Sequence, residues 1–253
     1  MTFAPEIVLG PPGTGKTTYL LNEVEQALES GIPSERIGFV AFTKKAAAEA
    51  IERATVRFDL TEKQLPHFRT LHSFAFRGIG MKRDKVLSSQ ALQEFGRILG
   101  LRLSGSVSVA EGALTSSSQG DKALFISGLA RIRCVDIKDQ WKINQEDLGW
   151  FETERVHRGL KKFKEARGLY DFTDMLEIFV LRGSVPELDL LVVDEAQDLS
   201  QLQWRMVLKL AAKANRVIVA GDDDQAIFQW AGADVPFFIN LKGKTTVLNQ
   251  SYR

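Results

Sequence analysis

Short runs of Val, Ile and Leu recur along the chain at residues 6–9, 36–41, 188–193, 216–220 and 245–248, several of them almost uninterrupted. A strand with one wet face alternates apolar and polar positions, whereas a strand covered on both faces reads as a continuous apolar run. Helical patterns fill the intervals at residues 15–30, 44–58, 172–181 and 200–214. Strand and helix in alternation predict an α/β fold, a parallel sheet with helices on both faces. Between residues 76 and 167 the strand signal disappears, and helical segments at 90–99 and 145–164 flank a stretch rich in Ser and Gly. This divides the chain into a discontinuous core, 1–75 and 168–253, and an inserted helical subdomain, 76–167. Residues 104–120 hold six Ser and three Gly and few large apolar groups, which predicts a mobile loop.

The 253 residues are 44% hydrophobic, and 33 Lys and Arg against 32 Asp and Glu leave a formal charge of +1. These values describe an ordinary globular chain without a global field for nucleic acid or an anionic membrane, so any such affinity needs a local patch. One candidate lies between His67 and Arg102, where seven Lys and Arg stand against Asp84 and Glu94. A single cysteine, Cys134, excludes an internal disulfide, and with His67, His72 and His157 it makes a poor basis for structural zinc. The longest apolar runs are strand-sized, well short of the roughly 20 residues of a membrane span. Met1 leads into a strand-like segment without a secretory signal pattern, so a cytoplasmic location is expected and no membrane partner.

The chemistry concentrates in three places. Gly10-Pro11-Pro12-Gly13-Thr14-Gly15-Lys16-Thr17 satisfies G-x-x-x-x-G-K-[ST], directly after an apolar strand and before a helix. In such a loop glycines let backbone N–H groups close around phosphate oxygens and the helix dipole adds positive potential. Lys16 spans the terminal phosphates, and the Thr17 hydroxyl ligates Mg²⁺. A nucleoside triphosphate with Mg²⁺ is therefore expected. The buried run 190–193 is followed by Asp194 and Glu195. Asp194 is placed to hold the metal through water, and Glu195 to accept a proton from the attacking water. Asp222, Asp223, Asp224 and Gln225 follow the strand ending at Ala220, at the same carboxyl edge of the sheet. Gln225 is suited to sensing the terminal phosphate.

Seven collinear blocks, spanning essentially the whole chain, resemble the motifs of UvrD/Rep-like superfamily 1 DNA helicases. They are residues 10–17, 41–47 (Ala-Phe-Thr-Lys-Lys-Ala-Ala), 70–75 (Thr-Leu-His-Ser-Phe-Ala), 171–174 (Asp-Phe-Thr-Asp), 193–198 (Val-Asp-Glu-Ala-Gln-Asp), 221–234 and 248–253. The resemblance implies a RecA-like P-loop ATPase core that grips single-stranded or forked DNA and uses ATP and Mg²⁺. It also implies roles by position. Gly10, Pro11, Gly13, Thr14, Gly15, Lys16, Thr17 and Thr18 would surround the nucleotide, with Tyr252 stacking on its base. Lys16, Glu195, Gln225 and Arg253 would serve hydrolysis, and Thr17 and Asp194 the metal. Phe42, Thr43, His72 and Trp230 would face DNA, since every base offers a π-face to an aromatic ring. Trp141, Trp150 and Trp204 fall outside the motifs and are expected in the core.

The sequence departs from the family pattern in places. Nine residues precede Gly10 and none is Gln, so adenine selectivity of the kind the family draws from an upstream glutamine segment is not expected from these residues. Thr18 and Ala231 stand where the family commonly has arginine. The chain ends at Arg253, where the family begins a second RecA-like domain. The expectation is the ATPase half of such a helicase. It would hydrolyse ATP weakly and would not unwind processively alone, unless a second polypeptide supplied the other half. The alternative is a truncated helicase-like DNA-binding protein or a metal-dependent nuclease, with Asp194, Glu195 and Asp222–Asp224 holding the metal.

Overall fold

The computed structural model describes residues 4–104, 118–144, 148–222, 230 and 232–248. Its centre is a six-stranded sheet built from β1 (Glu6–Leu9), β2 (Ile37–Ala41), β3 (Phe68–Thr70), β4 (Leu188–Val193), β5 (Ala214–Gly221) and β6 (Lys244–Val247). The strand order is β3-β2-β4-β5-β1-β6 and every pairing is parallel. All five apolar runs of the sequence form strands. The sixth, β3, is a three-residue edge strand held by its pairing to β2.

Alternation along β4 explains why its run is continuous. Leu190 and Val192 face one layer, with Leu20, Leu21 and Val24 of α1 (Lys16–Glu29) and Ala50 and Ala54 of α2 (Lys44–Phe58). Leu191 and Val193 face the other. There they join Leu71 and Phe74 of α3 (Leu71–Gly78), Leu176 and Phe179 of α8 (Phe172–Arg182) and Trp204 and Leu210 of α9 (Gln201–Ala211). Each buried leucine contributes roughly 1.5–3 kcal/mol, so a polar residue anywhere in this run would be costly. A short helix, α10 (Val235–Ile239), closes the second layer through Phe238.

Between α3 and α8 the chain is helical: α4 (Ser89–Leu99), α5 (Gln119–Ile132), α6 (Ile137–Ile143) and α7 (Trp150–Arg167). These helices share their own apolar cluster, with Phe95, Leu103, Leu124, Ile126, Val156 and Leu160 buried together. Most of the expected Ser/Gly loop, residues 105–117, lies outside the described residues. At its end the expectation needs correction, because Gln119 and Gly120 already belong to α5 and the Ser118 hydroxyl caps that helix by accepting from the Asp121 N–H at 3.1 Å. Serine serves caps as readily as loops, so composition alone cannot separate them. Trp204 is buried as expected, with its ring 4.8 Å from Phe237. Trp141 and Trp150 are half-buried and lean on each other at 5.7 Å.

Candidate nucleotide and nucleic-acid site

The loops that follow β1, β2, β3, β4 and β5 all emerge at the carboxyl edge of the sheet, so the candidate residues gather on one side of the molecule. After β1 the chain turns through Gly13 and Gly15, at φ 82° and 80°. This left-handed region is open to glycine at little cost. Gly15 is also the N-cap of α1 and offers no side chain to the first turn of the helix. The N–H groups there stay directed at whatever the loop encloses. A Cβ on Gly10 would come within 2.7 Å of the Thr14 hydroxyl, which itself donates to the Pro11 carbonyl at 2.7 Å. Inside this ring the Lys16 ammonium is buried and donates to the carbonyls of Gly10 at 2.5 Å and Pro11 at 3.3 Å. Thr18, on the next turn, is exposed.

The loops after β1 and β4 meet at Thr17 and Asp194. The Thr17 hydroxyl donates to Asp194 Oδ2 at 3.4 Å, and Asp194 Oδ1 accepts the Glu195 N–H at 2.9 Å. Burial, reinforced by the neighbouring Glu195 charge, pushes the Asp194 carboxyl up to about 6. A buried carboxylate beside a hydroxyl, next to a phosphate-binding loop, is the donor set a hard divalent cation takes. Mg²⁺ held by Thr17 and Asp194 would supply charge neutralisation there. Glu195 occupies the left-handed region at φ 53°, an uncommon conformation for a residue with a Cβ. Among the described residues no group of three or more His, Cys, Asp or Glu is placed to hold a metal. Asp223, Asp224 and Gln225, and likewise Tyr252 and Arg253, lie outside the described residues.

Two residues that the sequence reading left out of the site lie against Glu195. Gln197 is buried and donates to Glu195 Oε2 at 2.7 Å. Burial, with the Glu195 charge adding to it, pushes the Asp198 carboxyl up to about 7, and its Oδ1 finds no partner among the described residues. A carboxyl raised from its ordinary value of 3.8 costs nothing below about pH 4, and progressively destabilises the fold as pH rises toward 7. Asp198→Asn should therefore stabilise the protein by on the order of 1–2 kcal/mol at pH 8, allowing for the solvent that reaches this half-buried group. The gain should vanish below pH 4. Thermal unfolding of both proteins across that range checks this, and a gain independent of pH would disprove the cause.

The residues expected to face nucleic acid follow β2 (Phe42, Thr43), β3 (His72) and β5 (Trp230). Thr43 is exposed at the N-cap of α2, its hydroxyl accepting from the Ala46 N–H at 3.1 Å. Phe42 is half-buried and packs on the core cluster. His72, on α3, meets the ring of Phe172 edge-on at 5.8 Å, and Phe172 is 48% exposed. Burial and the nearby Lys44 charge lower the His72 imidazole to about 4, so at neutral pH it is an uncharged ring. Trp230 is 47% exposed. Of the seven cations between His67 and Arg102, Arg77, Lys82, Arg83, Lys85, Arg97 and Arg102 are exposed. Arg69 is half-buried, and burial followed by Arg77 lowers it to about 10. Phe172 is the aromatic the sequence reading passed over, although it stands in the Asp171–Asp174 block.

A phosphate loop on β1, an acidic pair after β4 and a parallel sheet between helical layers define a P-loop nucleotide-binding α/β core. The chain matches the model of the UvrD/REP helicase N-terminal domain over residues 3–246, and it belongs to that family, with the RecA-like architecture this entails. It is 26% identical to the putative ATP-dependent DNA helicase YjcD of Bacillus subtilis, over all of this chain and 35% of that protein. It is 27% identical to DNA helicase II of Haemophilus influenzae, over 98% of this chain and 36% of the relative. Identity to the ATP-dependent DNA helicase PcrA of Staphylococcus epidermidis is 26%, over all of this chain and 36% of that one. The chain thus spans about a third of the length of these relatives. Among the described residues no helix is long and apolar enough to cross a membrane.

Proposed function

We propose that the chain is the ATP-binding and DNA-dependent ATPase half of a UvrD/Rep-like DNA helicase, gripping single-stranded DNA while it turns ATP over. The observation that carries this is the meeting of the Lys16 loop with Asp194 and Glu195 at one sheet edge, beside exposed aromatic and basic groups. In this reading Lys16 leaves the loop carbonyls for the β- and γ-phosphates. Thr17 and Asp194 hold Mg²⁺, and Glu195 takes the proton of the attacking water. Gln225 senses the γ-phosphate, Arg253 neutralises its charge and Tyr252 stacks on the base. Thr18 lies beside the phosphates. Bases stack against Phe42, His72 and Trp230, with Thr43 close to the strand, and the neutral His72 ring and exposed Phe172 suit that use. Residues 76–167 form an inserted subdomain, a division supported by their separate apolar cluster.

Phosphoryl transfer depends on charge stabilisation, and an arginine finger can be worth 10³–10⁵ in rate. This half alone is therefore expected to hydrolyse ATP weakly and not to unwind processively. In this reading such an arginine comes from outside these 253 residues. Phosphate release by the purified chain, with and without single-stranded DNA, tests the proposal. Stimulation by DNA is expected. DNA binding with no turnover at all would favour a helicase-like binder, and DNA cleavage with Mg²⁺ but without ATP a nuclease. Glu195→Gln should retain ATP binding while slowing release, and an unchanged rate would remove Glu195 from the role of base.

A further inference from the structure

Away from the residues assigned to nucleotide and nucleic acid, a cavity of about 550 Å³ opens between α5, α7 and α8. Each helix turns one stripe toward it. Ser127 and Arg131 stand four residues apart on α5, Asp174 and Ile178 four apart on α8, and His157, Lys161 and Glu165 repeat that spacing on α7. Leu169 and Tyr170 close the end where α7 leads into α8. A helix seam that serves packing alone fills such space with side chains. A hollow of roughly 300–1,000 Å³ with an apolar lining and a few convergent polar groups is the usual form of a small-molecule site.

Most of the charges around this cavity are paired with one another. Arg131 pairs with Asp174 at 2.6 Å and Glu177 at 2.8 Å, and Lys164 pairs with Asp174 at 2.5 Å. Two groups are left open. Lys161 makes no ion pair among the described residues. His157 shares a hydrogen bond between Nδ1 and the Ser127 hydroxyl at 2.7 Å, and its Nε2 makes none among the described residues. The two lie one turn apart on α7, so their side chains are neighbours. The field at this end is positive. Burial lowers the His157 imidazole, and the charges that add to this, Arg131, Lys161, Lys164 and Arg158, are all cations. Glu165, an acid of the lining outside those pairs, is eight residues beyond His157, about 12 Å along the helix axis.

We propose that this cavity binds a small organic anion, a carboxylate or phosphate monoester, with its charged head against His157 and Lys161 and its apolar body against Leu160, Leu169 and Tyr170. The head completes what the protein leaves open: an ammonium without a counter-ion and an imidazole with one nitrogen free. An anion beside the imidazole favours its cationic form, which offers a donor from each nitrogen, one to Ser127 and one to the ligand. The body takes the half-buried Tyr170 ring and the two leucines out of water.

The chain has three histidines, so the His157 imidazole Cε1–H signal can be assigned by single substitution and followed in ¹H–¹³C spectra. Benzoate and phenyl phosphate, titrated at pH 7, are the probes. At least one should move this signal to saturation, toward the position of a charged imidazole, and which of them does so tells a carboxylate site from a phosphate ester site. Benzamide, the same body without the charge, and inorganic phosphate, a head without the body, should each bind at least about tenfold more weakly. Lys161→Ala, at an exposed position, should unfold like the parent and weaken the anion on the order of tenfold. Because the signal belongs to His157, phosphate taken up by the Lys16 loop does not register in it. Absence of saturation with both anions, parent-like affinity in Lys161→Ala, or equal affinity for benzamide overturns the proposal. Inorganic phosphate binding as tightly as phenyl phosphate would show an adventitious ion only, and overturns it as well.

Discussion

Lys16→Ala is expected to lower ATP turnover by on the order of 10³-fold and to weaken nucleotide binding with it, while leaving the fold intact. In the structure the ammonium is buried among the Gly10 and Pro11 carbonyls and makes no ion pair with any of the described residues. In the proposed reading its charge is held within reach of the phosphates, and no carboxylate among the described residues has to be displaced from it first. Phosphoryl transfer offers a protein little covalent work, and most of the acceleration comes from position and from charge placed where the transition state develops it. Removing the cation removes that charge from a site whose acids Asp194 and Glu195 already disfavour an anionic substrate. Folding should be little affected, because what is lost is two hydrogen bonds to carbonyls, net about 1–3 kcal/mol. Turnover, nucleotide titration and urea unfolding of the purified variant separate these effects. A variant that hydrolyses ATP within tenfold of the parent would exclude Lys16 from the phosphate site.

What was legible in the sequence is what depends on neighbours along the chain. The phosphate loop is one uninterrupted octapeptide between a strand and a helix, and the continuous apolar run of β4 is written in six consecutive residues. Thr43, Asp171 and Ser200 cap the helices that begin one residue after them, a local device set by neighbours along the chain. Elements set by distant partners were not legible. β3 is three residues with Arg69 at its centre, and it is a strand because β2 pairs with it. α5 begins in a Ser-rich stretch whose last serine is its cap. Gln197 was visible as a letter in a motif, but its partner Asp222 lies 25 residues on, and only the closure of β4 beside β5 brings the two together. Phe172 is only one letter of the 171–174 block and the 172–181 helical pattern until the fold leaves its ring 48% exposed against His72.

The same dependence on distant partners makes the loss of Arg131 costly in stability. Its guanidinium, on α5, donates to Asp171 at 2.8 Å, to Asp174 at 2.6 Å and through two nitrogens to Glu177 at 2.8 and 3.0 Å, all three on or capping α8. Lys164 of α7, 6% exposed, reaches Asp171 and Asp174 as well. Burial alone would raise Asp171, but Arg131 and Lys164 outweigh it and hold the carboxyl down at about 2. Asp174 is pushed up, by burial and by the charge of Asp171. Deleting one cation from such a cluster leaves carboxylates buried without compensation, which typically costs 3–5 kcal/mol, far above the 0–1 of an exposed pair. Arg131→Met, which keeps the length of the stem, should therefore lower the unfolding free energy by about 3–5 kcal/mol at pH 7 and the melting temperature by roughly 10 °C. Adding Asp174→Asn should recover part of the loss, because one fewer anion is stranded. The pH dependence follows from Asp171. Its depressed value contributes stability that is present above about pH 4 and lost as pH falls toward 2, so the gap between Arg131→Met and the parent should narrow in that window. Urea unfolding at pH 7 and pH 3 measures both terms, and a loss below 1 kcal/mol at pH 7 would place the cluster among surface ion pairs.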